Sequence, residues 1–377
     1  MNKGILLVCI LIFFKTEAQT SVLNVADSLF ANGNFSEAIK TYKSYENVDA
    51  VSYKLAKSYV AIGNYDEALH YYQVRIKVFP NDVLLKYDYG QLLAKTKNYQ
   101  TAKSVFNQLI AMDSLHPNYP YELGLVYEQL QDSLALKSFK RSFKLDNGHQ
   151  KSIFKLAKRQ LQIRNYDSVD YYVDIGLKAY ENNVELISLK AQNSYWKKDF
   201  ENASIWFEKL LVLGENSQFV HEKLSSCYSE MSEVHKAIDQ QKLAIAKDPN
   251  NVENIYKLGL LYTRISDYKQ AENYIKKAIE IVDVPLDIEY MKLGTIQNQQ
   301  KKYAEAIQSF QRALYENPNN KYAAFYLVFT KDQYYKDVNT RIKLYEDFIL
   351  KYPKNLFLYK AKSRLQELKQ EKFMNTD

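Results

Sequence analysis

The side chains best equipped for chemistry are few and scattered. The chain has five histidines: His70, His116, His149, His221 and His235. The nearest two, His221 and His235, stand 14 residues apart. That is not the i, i+4 spacing that sets two imidazoles on one helix face to hold a metal. Apart from Cys9, Cys227 is the single thiol. No His-Glu-x-x-His run, Gly-x-Ser-x-Gly elbow or glycine-rich phosphate loop occurs. The acids sit singly among lysines, as on solvated helix faces. This pattern predicts no catalysis, no metal and no cofactor. Tyrosine is what abounds, with 33 residues. Aromatic rings anchor interfaces, so the chemistry to expect is that of binding.

Charge narrows the partner. Lys and Arg number 51 against 44 Asp and Glu, a net +7. Basic and acidic residues are interspersed. A nucleic-acid binder gathers its basic residues into a patch or tract, so no nucleic-acid partner is expected. The first residues differ from the rest: Lys3 precedes an unbroken apolar run from Ile5 to Phe14, then polar Lys15-Thr16-Glu17-Ala18-Gln19. Ten apolar residues are too few for a bilayer, which needs about 20. The pattern is that of a cleavable export signal over 1–18, with Thr16 and Ala18 before a junction at Gln19. Val8 before Cys9 argues against lipidation. The expected place is the periplasm of a Gram-negative bacterium, with the outer surface or the medium as the alternative. No membrane-spanning segment is expected after cleavage.

The elements that must position the tyrosines are written as a repeat. Gly33-Asn-Phe-Ser-Glu-Ala38, Gly63-Asn-Tyr-Asp-Glu-Ala68, Lys97-Asn-Tyr-Gln-Thr-Ala102, Ser266-Asp-Tyr-Lys-Gln-Ala271 and Lys301-Lys-Tyr-Ala-Glu-Ala306 are variants of one phrase. Ala68 and Ala102 are 34 residues apart, as are Val169, Ala203, Ala237 and Ala271 in succession; Ala306 follows after 35. Together with Tyr121-Glu-Leu-Gly-Leu-Val-Tyr127 and Tyr256-Lys-Leu-Gly-Leu-Leu-Tyr262, this resembles the tetratricopeptide repeat, a 34-residue helix–turn–helix. The resemblance covers residues 19–353. Repeats begin near 19, 49, 83, 117, 150, 184, 218, 252, 287 and 321. A solvating helix over 354–370 and a flexible tail over 371–377 follow. The implied fold class is all-α: a right-handed α-solenoid of about ten helix–turn–helix repeats with a C-terminal capping helix.

The columns have physical reasons. The eighth position reads Ala26, Ala56, Gly90, Gly124, Ala157, Ala191, Ser225, Gly259, Gly294 and Val328. Small residues there let the two helices of a repeat approach. The twentieth is Ala38, Ala68, Ala102, Ala135, Ala203, Ala237, Ala271 and Ala306, to the same end. Leu55, Leu123, Leu224, Tyr72, Phe106, Phe207 and Phe310 fill the space between at helical spacing. Pro80, Pro249 and Pro318 stop second helices. Asn81-Asp82, Asn250-Asn251 and Asn319-Asn320 after them supply caps for the next helix. The fourth repeat is one residue short after Tyr127, one residue is added near Val284-Pro285, and the tenth is degenerate, with Asp337 and Thr340 at core columns.

The resemblance also implies a function. Such arrays hold proteins or peptides along a concave face lined by first helices. Its groove positions fall here on Tyr53, Tyr87, Tyr121 and Phe154, one ring per repeat, flanked by Lys57 and Lys158 and joined by Tyr195 and Trp196. The reading is a non-catalytic scaffold for a protein or peptide partner. The alternative is a carbohydrate- or peptidoglycan-associated module that stacks sugars on these rings. Tyrosine in this column is also ordinary lining.

Overall fold

The computed structural model describes residues 22–281 and 286–374. The export signal, Cys9, the junction at Gln19 and the extra residue near Val284-Pro285 lie outside the described residues. By packing, the chain divides into a first unit, Met1–Leu186, and a second, Ile187–Asp377. Among the described residues the regular structure is entirely helical. In the first unit, α1 (22–31) pairs with α2 (Phe35–Lys43), α3 (Val48–Ala61) with α4 (Tyr65–Val78) and α5 (Val83–Lys95) with α6 (Tyr99–Met112). There α7 (Asn118–Gln129) pairs with α8 (Leu134–Leu145) and α9 (Gln150–Gln162) with α10 (Tyr166–Ala179). The boundary falls within α11 (Val184–Trp196), which α12 (Phe200–Val212) follows. In the second unit come α13 (Gln218–Glu230) with α14 (Val234–Lys247), α15 (Val252–Arg264) with α16 (Tyr268–Ile281), and α17 (Asp287–Gln299) with α18 (Tyr303–Glu316). The last are α19 (Lys321–Tyr334), α20 (Val338–Lys351) and α21 (Leu358–Met374).

Nine links between the helices of a pair are built the same way, and the link from α19 to α20, through Tyr335 and Asp337, has no left-handed residue. The residue that opens the repeated phrase takes a left-handed backbone: Gly33, Gly63, Lys97, Gln131, Arg164, Lys198, Ser232, Ser266 and Lys301 all have φ between 54° and 78°. In four of these links the next residue caps the second helix with its side chain, whereas Asn34 and Asn98 make no such bond. Asn64, Asn165, Asp199 and Asp267 accept the backbone N–H three residues on. First helices are capped by another column. Asn47, Asp82, Asn183, Asn251 and Asn320 accept from Ala50, Leu85, Leu186, Asn254 and Ala323 at 3.0–3.2 Å. These bonds satisfy donors that a helix start leaves orphaned.

The small eighth position meets a large residue of the second helix. A Cβ on Gly124 would lie 2.6 Å from Phe139, and one on Gly259 2.7 Å from Ile275. Ala26, Ala56, Ala157 and Ala191 in the same column are fully buried, as are Ala38, Ala68 and Ala102 opposite.

The departures have local causes. In the short fourth repeat Asp132 Oδ1 accepts the Leu134 N–H at 2.9 Å, closing the turn. In the tenth, Asp337 lies outside the core and caps α20, accepting Thr340 N–H at 2.7 Å. Buried Asp332 instead binds Arg341 Nε (2.6 Å), Arg364 Nε (3.0 Å) and the Tyr345 hydroxyl (3.1 Å). Two guanidiniums and a phenol offset the desolvation of its carboxylate. Arg364 thereby ties α21 to α19, while Ala361 and Leu368 bury the apolar side of α21. This helix begins four residues later than the 354 expected and runs to Met374, so the tail expected from Glu371 is helical through Met374.

Candidate functional site

In the first unit the fifth-position rings brace the array. The Tyr53 hydroxyl donates to Asp88 Oδ2 (2.8 Å) and that of Tyr87 to Glu122 Oε1 (3.1 Å). In each pair the acceptor lies 35 residues on, in the next repeat. Gln91 Nε2 also donates to Glu122, at 2.8 Å. Burial, reinforced by these carboxylates, pushes both phenols well above their ordinary range, so they remain donors. Tyr121 is 8% exposed, packed against Phe139 and 5.2 Å from the His149 ring. Its phenol is pushed up to about 12, chiefly by burial. Phe154 is half-buried, with the Lys158 ammonium 5.4 Å from its ring.

The two ninth-position lysines line separate clefts. Lys57 lies 3.6 Å from Asp88 Oδ2 and 4.9 Å from the Tyr53 ring. It borders a cleft of about 420 Å³ with Tyr72, Asp88, Gln91 and Lys95, between α3 and α5. Lys158 borders a cleft of about 670 Å³ between the start of α8 and the face of α9. Sequence reasoning missed Asp88, Glu122 and Arg159. The signal for the first two was present: acids at the sixth position of consecutive repeats, directly after the tyrosine column.

The second unit brings Tyr195 and Trp196 together, rings 5.4 Å apart and at 82°. The Lys223 ammonium sits 4.4 Å from Tyr195, 5.4 Å from Trp196 and 5.8 Å from Phe219. Burial, with Lys257 nearby, holds that amine below its ordinary range. The aromatic pair is therefore occupied by a cation of the chain itself. Beside it, Glu222 accepts from Gln218 at 2.7 Å and from Asn254.

Three of the histidines and Cys227 have structural roles, while His70 and His235 are exposed. His221 bridges Asn216 and Gln240, each at 2.7 Å. His149 caps α9, and His116 stacks on Tyr119 at 4.2 Å. Cys227 is fully buried and its thiol pushed up to about 12 by that burial, which leaves almost no thiolate near neutral pH. Among the described residues no group of three or more His, Cys, Asp or Glu is placed to hold a metal ion. No described helix is long and apolar enough to cross a membrane.

Family models described as tetratricopeptide repeat match residues 53–117, 252–281 and 288–320. Among curated proteins, the chain is 21% identical over 322 residues to superkiller protein 3 of Schizosaccharomyces pombe, covering 75% of this chain and 22% of that one. It is 23% identical over 137 residues to DnaJ homolog subfamily C member 3 of Gallus gallus, covering 35% and 26%. The chain thus spans only 22% and 26% of the lengths of these relatives. Among solved structures, the C-terminal part of a repeat-containing protein from Cytophaga hutchinsonii matches 63% of this chain and 97% of its own, with a TM-score of 0.52 and 19% identity. That likeness is one of fold.

Proposed function

Since the chain belongs to the tetratricopeptide-repeat proteins, we propose that it is a non-catalytic scaffold that holds a polypeptide partner along the first helices of its first unit. The observation that carries this reading is the pair of clefts between successive repeats, bordered by Lys57 and Lys158. The cleft walls combine apolar floor with charged rim, as a segment of polypeptide requires. The fifth-position rings serve this face by stiffening it, and the open clefts beside them supply the contacts. Sugar stacking finds no comparable support, because Tyr195 and Trp196 stand edge to face around Lys223.

A photocrosslinking residue placed at Gln91 or Gln162, at the rims of the two clefts, should give adducts with the native partner. The same residue at exposed Lys140, on α8, should not. Adducts from Lys140 alone would refute the reading. The work is proposed to take place in the periplasm, on the support of the Ile5–Phe14 run and the Ala18-Gln19 junction. N-terminal sequencing of the periplasmic fraction should begin at Gln19; a retained Met1 would argue against export by this signal.

A further inference from the structure

The cleft between α8 and α9 is unevenly charged. Three cations line it, Lys155, Lys158 and Arg159, with two carboxylates, Glu128 and Asp132. Both carboxylates are engaged. Glu128 Oε2 lies 2.6 Å from Lys155 Nζ, and Asp132 Oδ1 accepts the Leu134 N–H at 2.9 Å. Lys158 and Arg159 are left over. The Lys158 ammonium rests over the Phe154 ring, and Arg159 Nη1 reaches Gln162 Oε1 only at 3.5 Å, the outer limit of a hydrogen bond. Neither has a carboxylate within 4.0 Å among the described residues. Both side chains are exposed at the rim, while Phe139 supplies a buried apolar floor.

We infer that this cleft receives an acidic side chain of the bound polypeptide, a Glu or Asp held by Arg159 and Lys158 with an apolar neighbour against the floor. The inference rests on the scaffold reading above and specifies what that partner presents. The guanidinium is a planar fork that matches a carboxylate with two parallel hydrogen bonds. Lys158, on the adjoining position of α9, adds a flexible point charge. Lys155 already neutralises Glu128, and Asp132, the one cleft carboxylate without a cation partner, is outnumbered by Lys158 and Arg159. A neutral amide in place of the acid would leave both cations without their counter-charge.

The test is to pan a phage-displayed library of short random peptides on the whole chain and on the Lys158→Gln, Arg159→Gln double variant. Both side chains are exposed, so the variant should keep the helical circular dichroism and melting curve of the parent. The expected result is enrichment of peptides with an acidic residue beside an apolar one, lost on the variant. In a synthesised winner, Glu→Gln should weaken binding about tenfold, and this penalty should shrink to within about twofold on the variant. Winners without an acid, or acidic winners bound equally by the variant, would overturn the subsite and leave the scaffold standing. If no peptide rises above the uncoated control, both readings fail.

Discussion

His149 occupies the place that Asn47, Asp82, Asn183, Asn251 and Asn320 hold in other repeats, and caps a helix with a ring nitrogen. Its Nδ1 accepts the Ser152 N–H at 3.2 Å, and its Nε2 pairs with Asn118 Oδ1 at 2.8 Å. This requires a bare Nδ1, hence a neutral ring. Burial is the largest influence and holds its pKa below the ordinary value. Lys151 and His116 act in the same direction, and Asp146 opposes them. With the folded pKa depressed, the cap contributes fully above about pH 6.5 and is lost as pH falls through the folded value. The melting temperature should therefore fall as the pH is lowered below about 6.5. His149→Asn, which caps without titrating, should remove part of that drop; an unchanged slope would show that other groups set it. The sequence announced the asparagine and aspartate caps, because those residue types bond their own backbone. It could not announce a histidine doing the same work. The Tyr53–Asp88 and Tyr87–Glu122 bonds were hidden for a related reason. Two columns that read as lining and as solvated charge become partners only when consecutive repeats are stacked.

At the scale of the element, the turn is the most uniform feature, and glycine fills only two of its nine left-handed positions, Gly33 and Gly63. The others carry a Cβ that crowds the following carbonyl in this conformation. Lys97→Gly and Lys198→Gly should each raise stability by about 0.5–1 kcal/mol in urea unfolding, and Gly63→Ala should lower it by about as much. Destabilisation by both glycine variants would mean that unfolded-chain entropy outweighs the relieved strain. A second recurring device explains part of the tyrosine content. Lys43 lies 5.4 Å and 5.9 Å from the stacked rings of Tyr59 and Tyr71. In the second unit Lys242 lies 5.7 Å from Tyr262, itself stacked on Tyr274 at 5.6 Å. In each, a lysine of one second helix covers a ring of the next repeat. The repeat phase, the helix pairs and the small-residue columns were legible because the same constraint recurs in every copy. The cleft between α8 and α9 was not, since it arises where copies differ: the short turn at Asp132 and the adjoining Lys158-Arg159 pair on a first helix occur once.

Across the whole molecule, helices pack chiefly on their neighbours in the chain. Such arrays unfold by local steps when the links between repeats are weaker than the repeats. The two tryptophans, Trp196 and Trp206, both belong to the second unit, whereas circular dichroism reports every helix. Urea transitions followed by fluorescence and by far-ultraviolet dichroism should therefore fail to superimpose. Coincident curves with one slope would show a single cooperative block. A different consequence follows from the tyrosine braces, and it concerns inheritance. Arrays of this kind gain and lose copies, and here the copies are not interchangeable words. Excising residues 83–116 would set Glu122 where Asp88 now meets Tyr53, and the sentence still reads. Excising residues 117–149 would set Lys155, which cannot accept a hydrogen bond, against Tyr87. The first shortened chain should melt closer to the parent than the second. If so, a grammar of order, and not only of length, limits which shorter descendants this chain can leave.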